Sequence, residues 1–505
     1  MKTLQQLSTE ALDRDPAVAA VEFERRWYTW GQLRDGAANV RALLEQSGVD
    51  AGAAVTFVAR NRPSALAALL ALLAGGHDIR MLYPFQSAAG LARQVALQQA
   101  GASSPAAVIA AEGDFSEELV AVLRQHGVAG IALSGVGADL VGGCEQCHVP
   151  GAGGDGRSPK IEILTSGTTG MPKPFPVPYS LVETFMIGDA LRSGDRPDCS
   201  GQAPALLYFP IGNITGIHTT VPPLIKGQRI VLLEKFDLRE WHRFVKEYRP
   251  QTSGIPPAAM AQLLDANIPP EDLRSLQSMG SGAAPLDPSM HREFERRYNI
   301  PILLSYGATE FGGPVTGWSV DLYREFGASR FGSVGRVFPG GFRARVVDPD
   351  SRRVLPAGEE GLLEIVSPRI GSHWIVTSDL AVIDGEGFVF LRGRADGAIM
   401  RGGFKVLPET VEEALLLHPA VAAASVVGVP DSRLSEVPAA AVQLRYGVPG
   451  PQVEELAAHL RQHLLATHIP VHWEFVASLP KTPSFKIDRL AVRRLFTPVA
   501  AGAAD

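Results

Sequence analysis

The chain has little of what marks a secreted, membrane-spanning or nucleic-acid-binding protein. It has three cysteines in 505 residues, and the segment from Met1 to Asp15 lacks the apolar core of a signal peptide. Its longest apolar run, from Ala65 to Ala74, is too short to cross a bilayer. Acidic residues outnumber basic ones by 53 to 47, which leaves no basic excess for binding nucleic acid. We therefore expect a cytoplasmic globular protein with reduced thiols, no membrane span and no nucleic-acid partner.

One cysteine pattern, Cys144-Glu-Gln-Cys147-His148, has the C-x-x-C-H spacing of covalent haem attachment or of half a zinc site. Haem attachment of this kind belongs to exported proteins. A zinc site needs two further ligands, whereas the one remaining cysteine, Cys199, lies in a Pro/Asp/Ser loop. The pattern is therefore interpreted as a chance occurrence in a loop.

The spacing of apolar residues predicts an α/β protein. A chain of 505 residues exceeds one ordinary hydrophobic core, and its length indicates about three domains or subdomains. Short β-branched segments alternate with helical patterns, as in folds with parallel strands. Predicted strands are 54–58, 107–110, 130–133, 161–164, 229–233 and 251–254. Predicted helices are 64–73, capped by Asn61 and Ser64, then 238–248 and 257–264.

The pattern changes after Phe342, where strands are separated by turns instead of helices. Segments 343–347, 361–366 and 388–391 predict a small β-rich subdomain. A Gly-flanked turn at 393–397 precedes a new α/β segment of about one hundred residues, which suffices for an independent domain. Its predicted elements are helices 408–416 and 453–465 and strands 423–429 and 439–444. The predicted domains are therefore residues 1–395 and residues 396–505.

The most informative motif is Thr165-Ser-Gly-Thr-Thr-Gly-Met-Pro-Lys173, which follows the apolar segment 161–164. Glycines let backbone N–H groups approach phosphate oxygens, hydroxyls add donors, and Lys173 supplies a positive charge. The motif is not a Walker loop, because Lys173 follows Met171 and Pro172 and no Ser or Thr comes after it. A flexible surface turn is the alternative reading, but the density of small and hydroxylated residues favours phosphate binding.

With five later segments, this motif resembles the adenylate-forming superfamily of acyl- and aryl-CoA synthetases, peptide-synthetase adenylation domains and luciferases. The resemblance spans nearly the whole chain, and acyl- or aryl-CoA ligases are the most similar members. The later segments, in family order, are Ser305-Tyr-Gly-Ala-Thr-Glu310, Thr377-Ser-Asp379, Gly393-Arg-Ala-Asp396, Gly402-Gly-Phe-Lys405 and Pro483-Ser-Phe-Lys-Ile-Asp-Arg489.

The resemblance implies a fold and a reaction. The large domain would contain two αβαβα subdomains plus the β-rich subdomain, and the small C-terminal α+β domain would be mobile. A carboxylate would attack the α-phosphate of ATP, giving acyl-AMP and pyrophosphate, and the thiol of coenzyme A would then capture the acyl group. ATP, Mg²⁺ and coenzyme A are the implied cofactors, and the implied oligomeric state is a monomer or a homodimer.

The same resemblance implies roles for single residues. Tyr306 would lie against adenine as an aromatic platform, and Glu310 would hold Mg²⁺, an ion that prefers oxygen ligands. Asp379 would accept hydrogen bonds from the ribose, with Arg394 nearby. The residues implied to bind nucleotide are Thr165, Ser166, Gly167, Thr168, Thr169, Lys173, Gly282, Ala283, Ala284, Tyr306, Gly307, Thr309, Asp379, Arg394 and Lys405.

Lys486, Glu310 and Thr165 form the implied catalytic set. Lys486 would reach the α-phosphate and the attacking carboxylate, stabilising charge that develops in the transition state. Asp396 would be the hinge of the small domain, and Gly402 and Gly403 would let the pantetheine arm pass close to the backbone.

The implied acyl pocket is built of small and apolar residues. Amino-acid-activating relatives place an aspartate in the segment that corresponds to 206–220, and this chain has none there. A bulky, cyclic or aryl carboxylic acid without an α-amine is therefore expected. The pocket residues are Asn213, Ile214, Ile217, His218, Gly280, Ser281, Gly307, Ala308 and Gly312.

Six residues depart from the family pattern, and two of them, Asp78 and Arg80, are polar where relatives are usually apolar. Phe485 replaces the glycine that usually precedes the catalytic lysine, and Pro174 replaces a glycine after the phosphate loop. Met400 stands where several CoA ligases have lysine, and Asn213 where a histidine is frequent. These departures predict a divergent member with an unusual acid substrate.

Two other functions remain open at this point. The adenylate could be delivered to an acyl carrier protein or to an amine instead of CoA. Alternatively, the chain could be a nucleotide-binding homologue with little catalysis, which Phe485 and Pro174 favour and which Lys486, Glu310 and Asp379 oppose.

Overall fold

The computed structural model describes residues 1–100, 104–148, 158–165, 173–195, 197–282, 286–401, 404–431, 434–464, 466–482 and 486–496. These residues divide between two units. The first unit contains the described parts of Met1–Gly254, together with Gln262–Met279 and Gly307–Pro314. The second contains the described parts of Ile255–Ala261, Gly280–Tyr306 and Val315–Asp505.

A seven-stranded, mainly parallel sheet forms the core of the first unit. Its strands, in spatial order, are Gly137–Leu140, Ala129–Ser134, Ala107–Ala111, Ala54–Val58, Asp78–Leu82, Lys160–Thr165 and Lys173–Pro178. The five central strands run parallel, and the two outermost pair antiparallel to their neighbours. Ala54–Val58 and Ala107–Ala111 are buried along their whole length, as expected for a sheet covered on both faces.

The last strand of this sheet, Lys173–Pro178, contains three prolines and was not predicted. Pro174, Pro176 and Pro178 lie opposite Leu164, Glu162 and Lys160 at alternate positions of the antiparallel ladder. Proline has no N–H, so a strand with this spacing is suited to the edge of a sheet. The Pro174 departure is therefore part of an edge strand.

A buried helix, Pro63–Ala74, packs in the same unit. Pro63 takes the first helical position, where a missing N–H costs nothing. The prediction that Asn61 and Ser64 cap this helix was wrong, because Arg62 is its N-cap residue and makes no side-chain cap bond. The Asn61 amide instead donates to the carbonyls of Phe209 and Leu233 and accepts from the Ile211 N–H.

A four-stranded sheet and the other helices complete the first unit. The sheet order is Ala205–Leu207, Ile230–Leu232, Ala19–Phe23 and Arg26–Thr29. Capping boxes at Thr3 and Thr29 start two of the helices. The helices are Leu4–Leu12, Trp30–Gln46, Ala88–Gln99, Glu117–His126, Tyr179–Leu181, Asp189–Arg192, Ile214–Lys226 and Leu238–Tyr248, with a π-helical segment at Val182–Ile187 and short 3₁₀ turns at Glu112–Asp114 and Pro270–Leu273.

A five-stranded sheet carries several of the predicted site segments. Its order is Thr252–Gly254, Ser278–Gly282, Ile302–Ala308, Gly313–Gly317 and Arg336–Val337. The helices along this part of the chain are Pro257–Asp265, Pro288–Tyr298 and Val320–Phe326, with a 3₁₀ turn at Thr309–Phe311.

The second unit contains two antiparallel-rich sheets. The first has the order Arg343–Val347, Glu360–Val366, Ile375–Ile383 and Val389–Arg394. The other has the order Phe404–Val406, Ile399–Arg401, Ser435–Leu444 and Val421–Asp431, and His472–Phe475 pairs parallel to Ser435–Leu444. Helices Pro408–Leu416, Val453–Arg461 and Arg489–Leu495 pack here, with 3₁₀ turns at Ala395–Gly397 and Ala466–His468.

The predicted α/β class is confirmed, with a β-rich sheet following the parallel one along the chain. Within the described residues, no helix is both long and apolar enough to span a membrane. The predicted boundary at residues 395 and 396 stays a prediction.

A buried ion pair in the first unit generates a stability prediction. The Glu22 carboxylate is 3% exposed, accepts from Arg243 at 2.5 Å and also accepts from the Tyr248 hydroxyl. We expect Arg243→Met to destabilise the protein by about 3–5 kcal/mol, because it leaves a buried charge without its cation. The measurement is the shift of the urea-unfolding transition.

The matched control for Arg243→Met is Arg324→Met. Arg324 and its partner Asp321 are 68% and 91% exposed, so their ion pair contributes little to stability. We expect this variant to unfold with the wild-type transition. Equal shifts of the unfolding transition in the two variants would show that the burial of Glu22 does not determine the loss of stability.

Candidate active site

The phosphate motif is held between two paired strands of the first unit. Thr165 ends the strand Lys160–Thr165 and lies opposite Lys173, which begins Lys173–Pro178. The segment between them, with Ser166, Gly167, Thr168 and Thr169, lies outside the described residues. Thr165 and Lys173, which flank this segment, are neighbours across the two antiparallel strands. The Lys173 side chain is exposed.

Tyr306 and Asp379, which are 73 residues apart, meet in the second unit. The Tyr306 hydroxyl donates to Asp379 Oδ2 at 2.5 Å. Asp379 is itself held, because its N–H donates to Thr377 Oγ1 at 3.0 Å while that hydroxyl donates to the Leu363 carbonyl at 2.7 Å. An aromatic ring and a carboxylate are thus fixed side by side, a pairing that the sequence did not predict.

The strands around Asp379 bring the predicted Arg394 into register with it. Asp379 and Arg394 are direct partners between Ile375–Ile383 and Val389–Arg394. The neighbouring Gly393 has φ +117°, and a Cβ there would lie 2.8 Å from Glu409 Oε2. Asp396, the predicted hinge, lies in the 3₁₀ turn Ala395–Gly397 that follows.

The strand Ser278–Gly282 presents Gly280, Ser281 and Gly282 in the second unit. The buried Ser281 hydroxyl donates to the Ile255 carbonyl at 3.0 Å. A Cβ on Gly282 would lie 2.6 Å from Ser305 Oγ, so a larger residue here would require Ser305 to shift. Ala283 and Ala284 lie outside the described residues.

The helix Ile214–Lys226 supplies the predicted pocket residues of the first unit. Asn213 is its N-cap, with Oδ1 accepting from the Gly216 N–H at 2.6 Å, so asparagine at this position starts the helix. Ile214 and Ile217 are buried, with 7% and 1% exposed. Of these three predicted pocket residues, two are buried and apolar and the third caps the helix.

His218 on the same helix connects to the segment after Ala308. Its Nε2 lies 3.0 Å from the Gly312 carbonyl, which can only accept, so Nε2 carries the proton. Gly312 and Gly313 have φ of +70° and +118°, and a Cβ on Gly313 would overlap the His218 imidazole. A Cβ on Gly307 would likewise overlap Pro314. Glycine is therefore required for this close backbone packing.

Thr309 and Glu310 lie in the 3₁₀ turn Thr309–Phe311 of the first unit. Glu310 is exposed, whereas Phe311 is buried and anchors the turn. An exposed carboxylate supplies the hard oxygen donors that Mg²⁺ prefers, so Glu310 is chemically suited to that ion.

Lys486 lies on a tight hairpin of the second unit. The Thr482 N–H donates to the Lys486 carbonyl at 2.7 Å, and the Lys486 N–H donates to Thr482 Oγ1 at 3.3 Å. The Lys486 side chain is exposed, and Phe485 before it lies outside the described residues. Lys405 lies opposite Met400 in a strand pair, while Gly402 and Gly403 are not described.

The cysteine motif lies in a loop of the first unit. Cys144 is buried, with Sγ 3.8 Å from the Val120 carbonyl. The backbone N–H groups of Cys147 and His148 donate to Ser47 and Gly127. Within the described ranges, no three His, Cys, Asp or Glu side chains are arranged to hold a metal ion.

Two known protein families match this chain. The profile of the AMP-binding enzyme matches residues 8–372, and that of the AMP-binding enzyme C-terminal domain matches residues 410–486. The chain belongs to the AMP-binding enzyme family. The predicted superfamily is thereby confirmed, and the second match covers most of the predicted small domain.

Curated members of the AMP-binding family include CoA ligases. The sulfoacetate–CoA ligase of Cupriavidus necator is 31% identical over 66% of this chain and 66% of its own length. The medium/long-chain-fatty-acid–CoA ligase FadD8 of Mycobacterium tuberculosis is 29% identical over 93% of this chain and 86% of its own length. The chain spans about two thirds of the length of several curated relatives it matches.

Solved structures from the AMP-binding family share the fold. The amide bond synthetase McbA from Marinactinospora thermotolerans has a TM-score of 0.76 and 25% identity, covering 98% of this chain and 100% of its own. ATP-bound MatB from Rhodopseudomonas palustris has a TM-score of 0.81 and 22% identity, covering 99% and 100%. The latter likeness shows the fold alone.

The glycine packing against His218 generates the second prediction. We expect Gly313→Ala to destabilise the protein by about 1–3 kcal/mol beyond the cost of its backbone conformation, because the new methyl group displaces the imidazole from the Gly312 carbonyl. The measurement is the urea-unfolding transition.

Gly194→Ala is the matched control for the Gly313 variant. Gly194 lies in the same unit with a similar φ of +102°, and nothing lies within 4 Å of its added Cβ. This variant reports the backbone strain alone, about 1 kcal/mol. If it is destabilised as much as Gly313→Ala, the contact with His218 has no separate effect.

Proposed function

We propose that this chain is an ATP-dependent acid–CoA ligase that activates a hydrophobic carboxylic acid as acyl-AMP and transfers the acyl group to CoA. The observation that carries the proposal is the Tyr306–Asp379 hydrogen bond, because it fixes an aromatic face beside a carboxylate in a member of the AMP-binding family. Adenine stacks on aromatic rings, and ribose hydroxyls donate to carboxylates. Arg394, in register with Asp379, and Thr309, Gly307 and Gly282 would complete the nucleotide site.

In the first half-reaction, a carboxylate oxygen attacks the α-phosphorus of ATP and the bond to pyrophosphate breaks. The Thr165–Thr169 segment and Lys173 would hold the β- and γ-phosphates, since the hairpin brings the two ends of this segment together. The Lys486 ammonium would stabilise the negative charge that develops on the α-phosphate and the attacking carboxylate. Glu310 would hold Mg²⁺, which neutralises phosphate charge when bound.

In the second half-reaction, the sulfur of CoA attacks the acyl carbon and the bond to AMP breaks, while the thiol proton leaves to solvent. A turn of the small domain about Asp396 would bring Gly402 and Gly403 to the site, where glycine leaves room for the pantetheine arm. Lys405 would contact the adenylate. Lys486 would lie on the same small domain as Gly402 and Gly403. One rotation would therefore move Lys486 away from the site and bring the two glycines to it.

The substrate would be a bulky acid without an α-amine. Ile214 and Ile217 are buried on the pocket helix, and the segment 206–220 contains no carboxylate that would pair with an ammonium group. Asn213 and His218 each have a backbone partner, Asn213 with the Gly216 N–H and His218 with the Gly312 carbonyl. Gly280, Ser281, Ala308 and Gly312 would provide the room for the acyl group.

An amine is the second candidate acceptor. McbA, an amide bond synthetase, matches this chain over nearly the full length of both proteins. Delivery to an amine, or to an acyl carrier protein, uses the same adenylation chemistry and differs only in the second half-reaction. Supplying CoA, an amine or a carrier protein to the same adenylate therefore separates these functions.

The third prediction tests adenylation. We expect acid-dependent ATP–pyrophosphate exchange across a panel of aliphatic, aryl and polycyclic acids, and a loss of about 10²–10³-fold in Lys486→Ala, because one charge-stabilising donor is removed. Added CoA should convert the adenylate to a thioester.

The control for Lys486→Ala is Lys481→Ala on the same hairpin, which should keep exchange within about threefold of wild type. A larger loss in Lys481→Ala than in Lys486→Ala would contradict the assignment. Exchange without thioester formation would favour the amine or carrier-protein acceptor. Absence of exchange with every acid would favour a non-catalytic nucleotide-binding protein.

The fourth prediction tests the metal ligand. We expect Glu310→Gln to raise the Mg²⁺ concentration for half-maximal exchange by at least about 10-fold, because an amide is a weaker ligand than a carboxylate. Glu325→Gln, an exposed position on Val320–Phe326, is the control and should titrate as wild type. An unchanged Mg²⁺ requirement in Glu310→Gln would exclude Glu310 as the ligand.

A further inference from the structure

Arg489, three residues after Lys486, is tied to two other elements of the second unit. Its Nη2 lies 2.9 Å from Glu409 Oε1 and 3.1 Å from Glu412 Oε2, and both carboxylates belong to the helix Pro408–Leu416. Its Nη1 donates to the Val426 carbonyl at 3.3 Å. One guanidinium therefore joins the start of the helix Arg489–Leu495 to a second helix and to the strand Val421–Asp431.

The carboxylates that hold Arg489 are themselves fixed. Glu412 Oε1 accepts from the Val426 N–H at 2.7 Å, so Glu412 and Arg489 both bond to the backbone of one residue. Burial raises the pKa of Glu412 to about 7, and the Arg489 charge and the Val426 N–H oppose that rise. The Glu409 carboxylate, in turn, lies against Gly393, where a side chain would collide with it.

The backbone between Arg489 and Lys486 has little freedom. The Asp488 N–H donates to the Pro480 carbonyl at 3.0 Å, and the Thr482 N–H donates to the Lys486 carbonyl at 2.7 Å. Lys481 and Ile487 also form a bridge between the two arms. Asp488 caps the helix that Arg489 begins, with its side chain accepting from the Ala491 N–H. A displacement of Arg489 would therefore carry the hairpin, and Lys486 with it.

We infer that Arg489 is a positioning residue for Lys486. Its guanidinium, held by Glu409, Glu412 and the Val426 carbonyl, fixes the hairpin so that the Lys486 ammonium is presented at one place. The inference rests on the proposed role of Lys486 in adenylation. Arginine suits this position because a guanidinium can bind two carboxylates and a carbonyl at once with its fixed fork of N–H donors.

The two half-reactions distinguish positioning from a merely structural role. Lys486 acts only when acyl-AMP is formed, so an error in its position should affect adenylation and leave thioester formation from a supplied acyl-AMP intact. A general loss of folding would affect both. A shift of about 1 Å in a catalytic group lowers the rate by about 100-fold.

The experiment compares Arg489→Met, Arg489→Lys and Arg493→Met in the full chain. Arg493 lies one turn later on the same helix and is paired with Glu436 at 3.5 Å, which makes it the matched control. The readouts are kcat and KM for ATP–pyrophosphate exchange, the rate of acyl-CoA formation from synthetic acyl-AMP and CoA, and the urea-unfolding transition.

For Arg489→Met we expect the kcat of exchange to fall about 10- to 100-fold, with KM for ATP and acid within about threefold of wild type. Thioester formation from acyl-AMP should keep its wild-type rate. Arg489→Lys should restore part of the exchange rate, since it keeps the charge but not the fork. Arg493→Met should match wild type in all three readouts.

Glu412→Gln is the second variant if Arg489→Met does not fold, and it should lower exchange in the same selective way by a smaller factor. Equal losses in both half-reactions, or wild-type exchange in Arg489→Met, would overturn the inference. A wild-type protein that shows no exchange with any acid would overturn the proposed function itself, and this inference with it. Normal ATP–pyrophosphate exchange in both the wild type and Arg489→Met would overturn only the positioning role.

Discussion

The parallel pairing of Asp78–Leu82 with Lys160–Thr165 is the constraint on which the first unit depends. Ile79 lies opposite Ile161 and Arg80 opposite Glu162, and a slip of one residue would exchange the two faces of the strand. Ile161 and Ile163 are fully buried, so the register is set by the core. The same register fixes where Thr165 ends the strand and where the phosphate motif begins. Packing of two isoleucines thus determines where in the sheet the polar segment after Thr165 begins.

Close backbone approach is the second recurring constraint. Gly313 leaves space for His218, Gly282 for Ser305 and Gly393 for Glu409, and in each case an added Cβ would meet the neighbouring side chain. Gly393 belongs to a segment that resembles a family motif, Gly313 follows another such segment by three residues, and Gly282 is one of the residues implied to bind nucleotide. Glycine at these positions therefore has a packing role in the described structure besides any role toward substrate.

Local patterns predicted local structure well. The strands 54–58 and 343–347 and the helices 238–248 and 408–416 have the predicted bounds, because apolar periodicity and β-branched runs act within a few residues. The strand Lys173–Pro178 was missed because prolines argue against a strand unless it lies at an edge, and an edge is a property of the whole sheet. The Asn61 cap was wrong for a similar reason, since its partners lie 148 and 172 residues away.

Motif resemblance predicts the site segments, but it does not predict which side chains pair. The Tyr306–Asp379 bond and the contacts of Arg489 with Glu409 and Glu412 join residues 73 to 80 positions apart, and no short-range pattern encodes them. Asn213 is a different case, because an asparagine before an apolar helical run is a capping signal that the sequence already contained.

The three alternate prolines of Lys173–Pro178 affect more than the shape of the phosphate hairpin. An edge strand exposes a row of N–H and C=O groups to which another chain can add a strand. Alternate N–H groups of a strand point to the same side, so Pro174, Pro176 and Pro178 remove three successive donors from one side of the strand that ends the described sheet. This edge strand therefore carries the exposed Lys173 and is a poor template for intermolecular strand addition.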